Sequence, residues 1–261
     1  MEIISDAALK RIFSDKTSGS GELLLKLNDY LSKKQENVRN IQRSIPKLKK
    51  YFQSFENIRK YLLELNKLIR AGKLSPEFFT NCSSKTRSNN KIFVHALPYF
   101  KRHKVVLTIS NSRTVLELLK KIRKEKRNLE VIVCESRPKL EGRVMASSLA
   151  EVGIKVQLIT ESMMSEYVQK SDAVIIGADV ILRNGDVVNK VGSKTLAILC
   201  KEFKKPFYVA ADKSKLSKKN KFVQRDEDQK EIWRDAPKNI ALRNRYFEII
   251  PKFYITKTFT D

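Results

Sequence analysis

Among its 261 residues the chain has only 8 glycines, 7 prolines, 3 cysteines, 2 histidines and 1 tryptophan. So little glycine and proline excludes a low-complexity or collagen-like chain. Cys82, Cys134 and Cys200 lie far apart with no C-x-x-C pair, which argues against a disulfide framework and against zinc. His95 and His103 are too few to make a metal site and read as surface residues. No metal and no cofactor is expected. No stretch approaches the roughly 18 uncharged apolar residues that span a bilayer, and residues 1–13 alternate charged and apolar positions where a signal peptide would carry an apolar core. The expectation is a cytoplasmic protein without membrane contact.

Acidic residues are also scarce: 29 Asp and Glu stand against 53 Lys and Arg, a formal charge of +24. With 41% hydrophobic residues the chain is nevertheless too apolar for a disordered polycation and can bury a core. The excess charge avoids residues 151–200. A field of this sign attracts nucleic acid, anionic membranes or acidic proteins without distinguishing them, so sequence-independent, salt-sensitive RNA binding is one expectation. Lys120, Lys121, Arg123, Lys124, Lys126 and Arg127 are either the solvated end of a helix or an RNA contact. No aromatic residues interleave as stacking platforms, which favours the helix end.

Two textures divide the chain. In residues 1–100 apolar positions recur every three or four residues, first as Leu23, Leu24, Leu27 and Leu31, then from Ile41 to Ile69. This predicts a helical domain. Pro46 predicts a break or a new helix start, and residues 72–90 read as an irregular link. Residues 104–261 instead carry short β-branched runs at 105–109, 129–134, 155–159, 173–176 and 206–210, with amphipathic stretches at 114–122, 143–152 and 193–203 between several of them. That alternation predicts an α/β fold, a Rossmann-like doubly wound parallel sheet. Asn184-Gly185 between two apolar runs predicts a hairpin. Apolar runs at 246–250 and 254–258 suit a subunit interface.

Ligands in doubly wound sheets bind beyond the carboxyl ends of the strands. The chain places Thr108-Ile109-Ser110-Asn111-Ser112, Glu135-Ser136-Arg137-Pro138-Lys139-Leu140-Glu141-Gly142, Gly177-Ala178-Asp179 and Asn189-Lys190-Val191-Gly192-Ser193 at such ends. Asp179 is either an acid projecting into the crevice or a turn-capping residue. Asn189 and Lys190 either meet a phosphate beside a helix start or leave Lys190 simply solvated. Cys134 falls inside an apolar strand and reads as core.

The order and spacing of these motifs resemble the alpha, beta and delta regulatory subunits of initiation factor 2B and their sugar-phosphate isomerase relatives, methylthioribose-1-phosphate isomerase and ribose-1,5-bisphosphate isomerase. The resemblance implies a helical N-terminal domain, a Rossmann-like C-terminal domain and a homodimer or hexamer. It also implies ligand contacts from Ser18, Gly19, Ser20, Arg137, Glu141, Asn189 and Lys190, with Asp179 as acid or base. Ser110 stands where the isomerases carry a cysteine, Ser18 where they carry a phosphate-binding arginine, and Glu141 where they carry glutamine. From these three departures, set against the retained Asp179, Asn189 and Lys190, two expectations follow. The first is a regulatory protein that binds the alpha subunit of initiation factor 2, sensing a phosphorylated sugar or nucleotide, with no isomerisation. The alternative is an aldose–ketose isomerase acting on ribose-1,5-bisphosphate or a related phosphosugar.

Overall fold

The computed structural model describes residues 6–15, 17–85 and 90–261. Two compact units follow each other along the chain, residues 1–89 and residues 90–261.

The first unit is helical: α1 (Ala7–Ser14), α2 (Ser20–Ser32), α3 (Val38–Tyr51), α4 (Glu56–Arg70) and α5 (Pro76–Lys85). Asp6 caps α1 by accepting from the Ala8 N–H at 2.8 Å. The leucine stripe of α2 is buried against Ile41, Ile45 and Leu48 of α3 and Ile58, Leu62 and Leu65 of α4. Two expectations are corrected here. The third helix runs through Pro46 without a break. Burying Ile41, Ile45 and Leu48 on its inner face yields about 1.5–3 kcal/mol each, which outweighs the ~3 kcal/mol of an interior proline. The stretch 72–90 is also not all irregular, because α5 begins at Pro76, where a missing N–H costs nothing. Phe79 anchors that helix in the core, and its carbonyl accepts from Asn28 Nδ2 at 3.0 Å. Residues 86–89 of the stretch, like residues 1–5 of the N-terminal reading, lie outside the described residues.

The second unit contains α6 (Asn90–Phe100), β1 (Val105–Ile109), α7 (Arg113–Glu125), β2 (Glu130–Cys134), α8 (Glu141–Ala150), β3 (Lys155–Ile159), α9 (Met164–Lys170) and β4 (Ala173–Ile176). After them come β5 (Val180–Ile181), β6 (Val187–Lys190), α10 (Ser193–Glu202), β7 (Phe207–Ala210), β8 (Phe247–Ile250) and β9 (Lys257–Phe259). Six strands form one sheet in the order β3-β2-β1-β4-β7-β9, and every pairing in it is parallel. Alternate side chains of the central strands enter two cores, one beneath α6, α7 and α8 and the other beneath α9 and α10. Both faces are covered, which is why the strands read as continuous apolar runs. This is the mixed α/β, Rossmann-like arrangement expected, except that α6, read with the helical residues 1–100, belongs to this unit and packs on the sheet through Phe100, whose ring lies 5.3 Å from that of Tyr208.

The hairpin at Gly185 joins β5 to β6, and β8 completes a second, antiparallel sheet in the order β5-β6-β8. The runs 246–250 and 254–258, read as interface strands, instead pair within the chain, β8 with β6 and β9 with β7. At the end of α7 the cations are largely engaged. Lys126 Nζ donates to the carbonyls of Lys101 and His103 at 2.7 and 2.8 Å, and the Arg123 guanidinium reaches the Gly153 carbonyl at 3.2 Å.

Strand β1 lies between β2 and β4: the chain steps outward from β1 to β2 and β3 on one side, then crosses back to β4 on the other, which opens a crevice at the carboxyl end of β1. One side of that crevice depends on Gly142. A methyl group there would lie 1.9 Å from the Cys134 carbonyl oxygen. Gly142→Ala is expected to lower the unfolding free energy by about 3 kcal/mol, the upper range for overpacking. Gly21→Ala, in α2 with nothing within 4 Å of the new methyl, is expected to raise it by about 0.5–1 kcal/mol. Urea unfolding of both variants checks the opposite signs.

Candidate active site

The loops at the crevice are held in uncommon backbone conformations. Ser110 and Ser136, one residue past β1 and two past β2, have φ of 71° and 72°, a left-handed region costing about 1–3 kcal/mol for residues with a Cβ. Hydrogen bonds hold both in place. The Ser110 N–H donates to Ser136 Oγ at 2.8 Å, Ser136 Oγ donates to the Cys134 carbonyl at 3.0 Å, and the Ser136 N–H donates to Glu161 Oε1 at 2.6 Å. From the β4 side, Gly177 allows close approach: a Cβ there would meet Ser112 Oγ at 2.3 Å. Asp179 follows two residues later, half-buried, with its N–H donating to the Val188 carbonyl at 2.9 Å.

A buried cluster spans the crevice. Lys190 Nζ and Glu141 Oε1 form an ion pair at 2.9 Å, with side chains only 3% and 9% exposed. Ser110 Oγ donates to the same Glu141 oxygen at 3.3 Å. Glu141 Oε2 is buried with no hydrogen-bond partner among the described residues. Burial pushes the Glu141 carboxyl above its ordinary value, although Lys190, its own N–H and Ser110 all pull it down. The Lys190 ammonium lies 5.3 Å from the centre of the Tyr246 ring, and Lys139 lies 5.0 Å from the same ring. Lys139 pairs with Glu231, which also accepts from the Tyr246 hydroxyl and, at 3.1 Å, from Asn244 Nδ2. Burial and then that carboxylate push the Tyr246 hydroxyl up. Buried Lys215, in the loop after β7, is pushed down by burial while Asp179 and Asp212 pull it back up.

Of the residues singled out from the sequence, Ser110, Glu141 and Lys190 are brought together. Asn189 is buried and donates from Nδ2 to Ser193 Oγ at 2.9 Å, so it orients the first residue of α10. At that helix start the Lys194 N–H already donates to Glu248 Oε1 at 2.8 Å. Arg137 is exposed and reaches the Ile232 carbonyl at 3.4 Å. Ser18, Gly19 and Ser20 belong to the helical unit, where Gly19 is the N-cap of α2. There Ser18 Oγ accepts from Lys26 Nζ at 2.8 Å, and that ammonium also pairs with Asp15 at 2.6 Å and Glu22 at 2.8 Å. Burial alone would raise Asp15, yet the hydrogen bonds of Lys26 and Ser18 hold it at about 2.

Glu161, Lys215, Glu231 and Tyr246 were not anticipated. A lysine shortly after a strand end was the one signal for Lys215, and the abundance of lysine hid it. Tyr246 and Glu231 meet across a loop with no periodicity to betray them. Among the described residues no group of His, Cys, Asp and Glu could hold a metal ion, and no helix is long and apolar enough to cross a membrane. His103, read as a surface residue, is half-buried against Phe100 and Tyr208, and burial lowers its pKa. Cys134 is buried and its thiol pushed up by burial, as a core residue should be.

Comparison with known proteins gives the site a chemical context. A family model described as "Initiation factor 2 subunit family" matches residues 9–261. The chain is 36% identical over 165 residues to a protein of Archaeoglobus fulgidus named ribose 1,5-bisphosphate isomerase, covering 60% of this chain and 52% of that one. It is 37% identical over 160 residues to a methylthioribose-1-phosphate isomerase of Dehalococcoides mccartyi, covering 57% and 48%. The chain thus spans about half the length of each. The Pyrococcus horikoshii OT3 translation initiation factor eIF-2B structure superposes with a TM-score of 0.76 at 24% identity over 97% of this chain and 93% of that one, which shows the fold. These names correct the first functional expectation. Both the Archaeoglobus and the Dehalococcoides relatives are named as isomerases, while a Pyrococcus horikoshii relative 35% identical over 158 residues is named "Putative translation initiation factor eIF-2B subunit 2-like". The regulatory reading with initiation factor 2 as partner, and the absence of isomerisation drawn from it, gives way to its alternative.

The buried pair makes two predictions. Lys190→Met strands the Glu141 carboxylate and is expected to cost about 3–5 kcal/mol at neutral pH. Lys190→Met combined with Glu141→Leu should recover most of that loss, and equal losses in single and double variants would show that the two groups are not coupled. Because the Glu141 pKa is raised on folding, its stabilising contribution is fully present below the ordinary carboxylate pKa of about 4.3 and is lost as pH rises through the raised value. Urea midpoints should fall over that window, and Glu141→Gln should remove this part of the slope.

Proposed function

The chain belongs to the initiation factor 2 subunit family, and from that membership and the crevice at β1 we propose that it catalyses aldose–ketose isomerisation of a pentose phosphorylated on its anomeric oxygen. The observation that carries this reading is the meeting of Ser110 with the Glu141–Lys190 pair beyond the carboxyl end of β1, with Asp179 on the loop past the adjacent strand β4. Such a sugar is locked as a ring. Opening it needs an acid at the ring oxygen, and moving hydrogen from C2 to C1 needs a second group within reach of carbon. Asp179, on a loop past β4 and half-buried, serves as the acid. Lys190 stabilises charge that develops on oxygen, and Asn189 keeps the start of α10 in place through Ser193.

The protein acts as a homodimer in this proposal. Val223, Trp233 and Phe253 are 70%, 50% and 69% exposed and offer apolar surface for a second copy. Light scattering at micromolar concentration should give at least twice the 30.2 kDa of one chain.

Nuclear magnetic resonance of ribose-1,5-bisphosphate and methylthioribose-1-phosphate incubated with the protein should show the corresponding ketose. Asp179→Asn should slow the reaction by about 10²–10⁴-fold, the usual worth of a positioned acid. Failure of the wild-type protein to convert either sugar overturns the proposal.

A further inference from the structure

A hydroxyl at position 110 is a poor proton acceptor unless a base stands behind it, and in the structure one does. Ser110 Oγ donates to Glu141 Oε1 at 3.3 Å, and the half-buried serine faces the crevice from a left-handed backbone that hydrogen bonds from neighbouring loops maintain. We propose that Ser110 and Glu141 form a proton relay for this isomerisation, Ser110 touching the sugar and Glu141 holding the proton that passes through it. The inference rests on the isomerase reading and adds the group that reading lacks.

Three features of the cluster suit Glu141 to the task. Lys190 Nζ at 2.9 Å fixes Oε1 in place, so the carboxylate does not have to reorganise when the proton arrives. Oε2 has no donor among the described residues, which leaves the carboxylate less fully solvated than a surface one and therefore more basic. Its raised pKa agrees with that environment. Around Glu141 stand Lys190, then Tyr246 beneath the Lys190 ammonium, with Lys139 and Glu231 beyond it. Of these only Lys190 bonds to Glu141.

The step balances without a co-reactant. Ser110 Oγ takes the proton from C2 as its own proton moves to Glu141, and the C2–H electrons form the C1–C2 double bond. The bond from C1 to the ring oxygen breaks, and Asp179 delivers a proton to that oxygen. The relay then runs backwards and places its proton on C1, while the C2 hydroxyl returns a proton to Asp179 and becomes the ketone. The ring-closed aldose phosphate and the open ketose are isomers, so no atom or electron is gained or lost.

Kinetics of Ser110→Ala, Glu141→Gln and the double variant on a phosphopentose, with the wild-type reaction repeated in D₂O, test this. Each single variant should lower kcat by about 10²–10⁴-fold, and the double variant should be no slower than the worse single one, because the two groups act as a unit. The wild-type product formed in D₂O should carry deuterium at C1, picked up by exchange on the relay. The acid limb of the kcat/KM profile should lie above the ordinary carboxylate range and disappear in Glu141→Gln. Multiplying single effects, or a Ser110→Ala or Glu141→Gln enzyme of wild-type speed, would overturn the relay while leaving the isomerase reading intact. No wild-type turnover at all would overturn both. If Glu141→Gln fails to fold, the rate of Ser110→Ala still decides.

Discussion

Taking an ammonium and a carboxylate out of water together is tolerable only when each is matched closely, and the Glu141–Lys190 pair is the place where this chain meets that requirement. The two side chains come from the start of α8 and the end of β6, so their 2.9 Å contact joins the large parallel sheet to the small antiparallel one. Desolvation of each ion costs several kcal/mol and consumes much of the Coulombic gain. What the pair secures is geometry, because a buried ion with a single good partner tolerates little displacement. The approach of α8 to β2 at Gly142, the hydroxyl of Ser110 and the ring of Tyr246 are all arranged around it.

Much of the surrounding polar structure obeys one rule: places suited to an external anion are occupied by the chain's own carboxylates. Glu141 sits on Lys190, Glu248 on the N–H of Lys194 at the start of α10, Glu161 on the N–H of Ser136, and Glu231 on Lys139. In a chain carrying +24 this is an economical use of scarce acid. Any phosphorylated ligand entering the crevice therefore competes with internal carboxylates, and its affinity is a difference between two sets of charge-assisted bonds. The same logic explains Ser18, whose hydroxyl binds Lys26 within a knot closed by Asp15 and Glu22.

Most of the architecture is legible in the sequence. The β-branched runs at 105–109 and 173–176 form strands with those limits, because buried strands leave an uninterrupted apolar signature, and the run at 155–159 forms the half-exposed edge strand beside β2. Pro46 and the stretch 72–90 misled for a common reason. Local propensity is worth a few kcal/mol at most, and the buried faces of α3 and α5 exceed it. The runs 246–250 and 254–258 were recognisable as strands but not by their partners, since pairing depends on which edges the rest of the fold leaves open.

The sequence by itself determined the helical and Rossmann-like parts, the crevice at the strand ends, and the presence there of Ser110, Glu141, Asp179 and Lys190, because periodicity and motif order are properties of a linear chain. Only the tertiary structure decided that Glu141 neutralises Lys190 and receives the Ser110 hydroxyl, and that Tyr246 and Glu231 close over them. Those contacts join residues 15 to 56 positions apart. Nothing in local composition encodes them, since they exist only once burial has removed the water that would otherwise have satisfied each group.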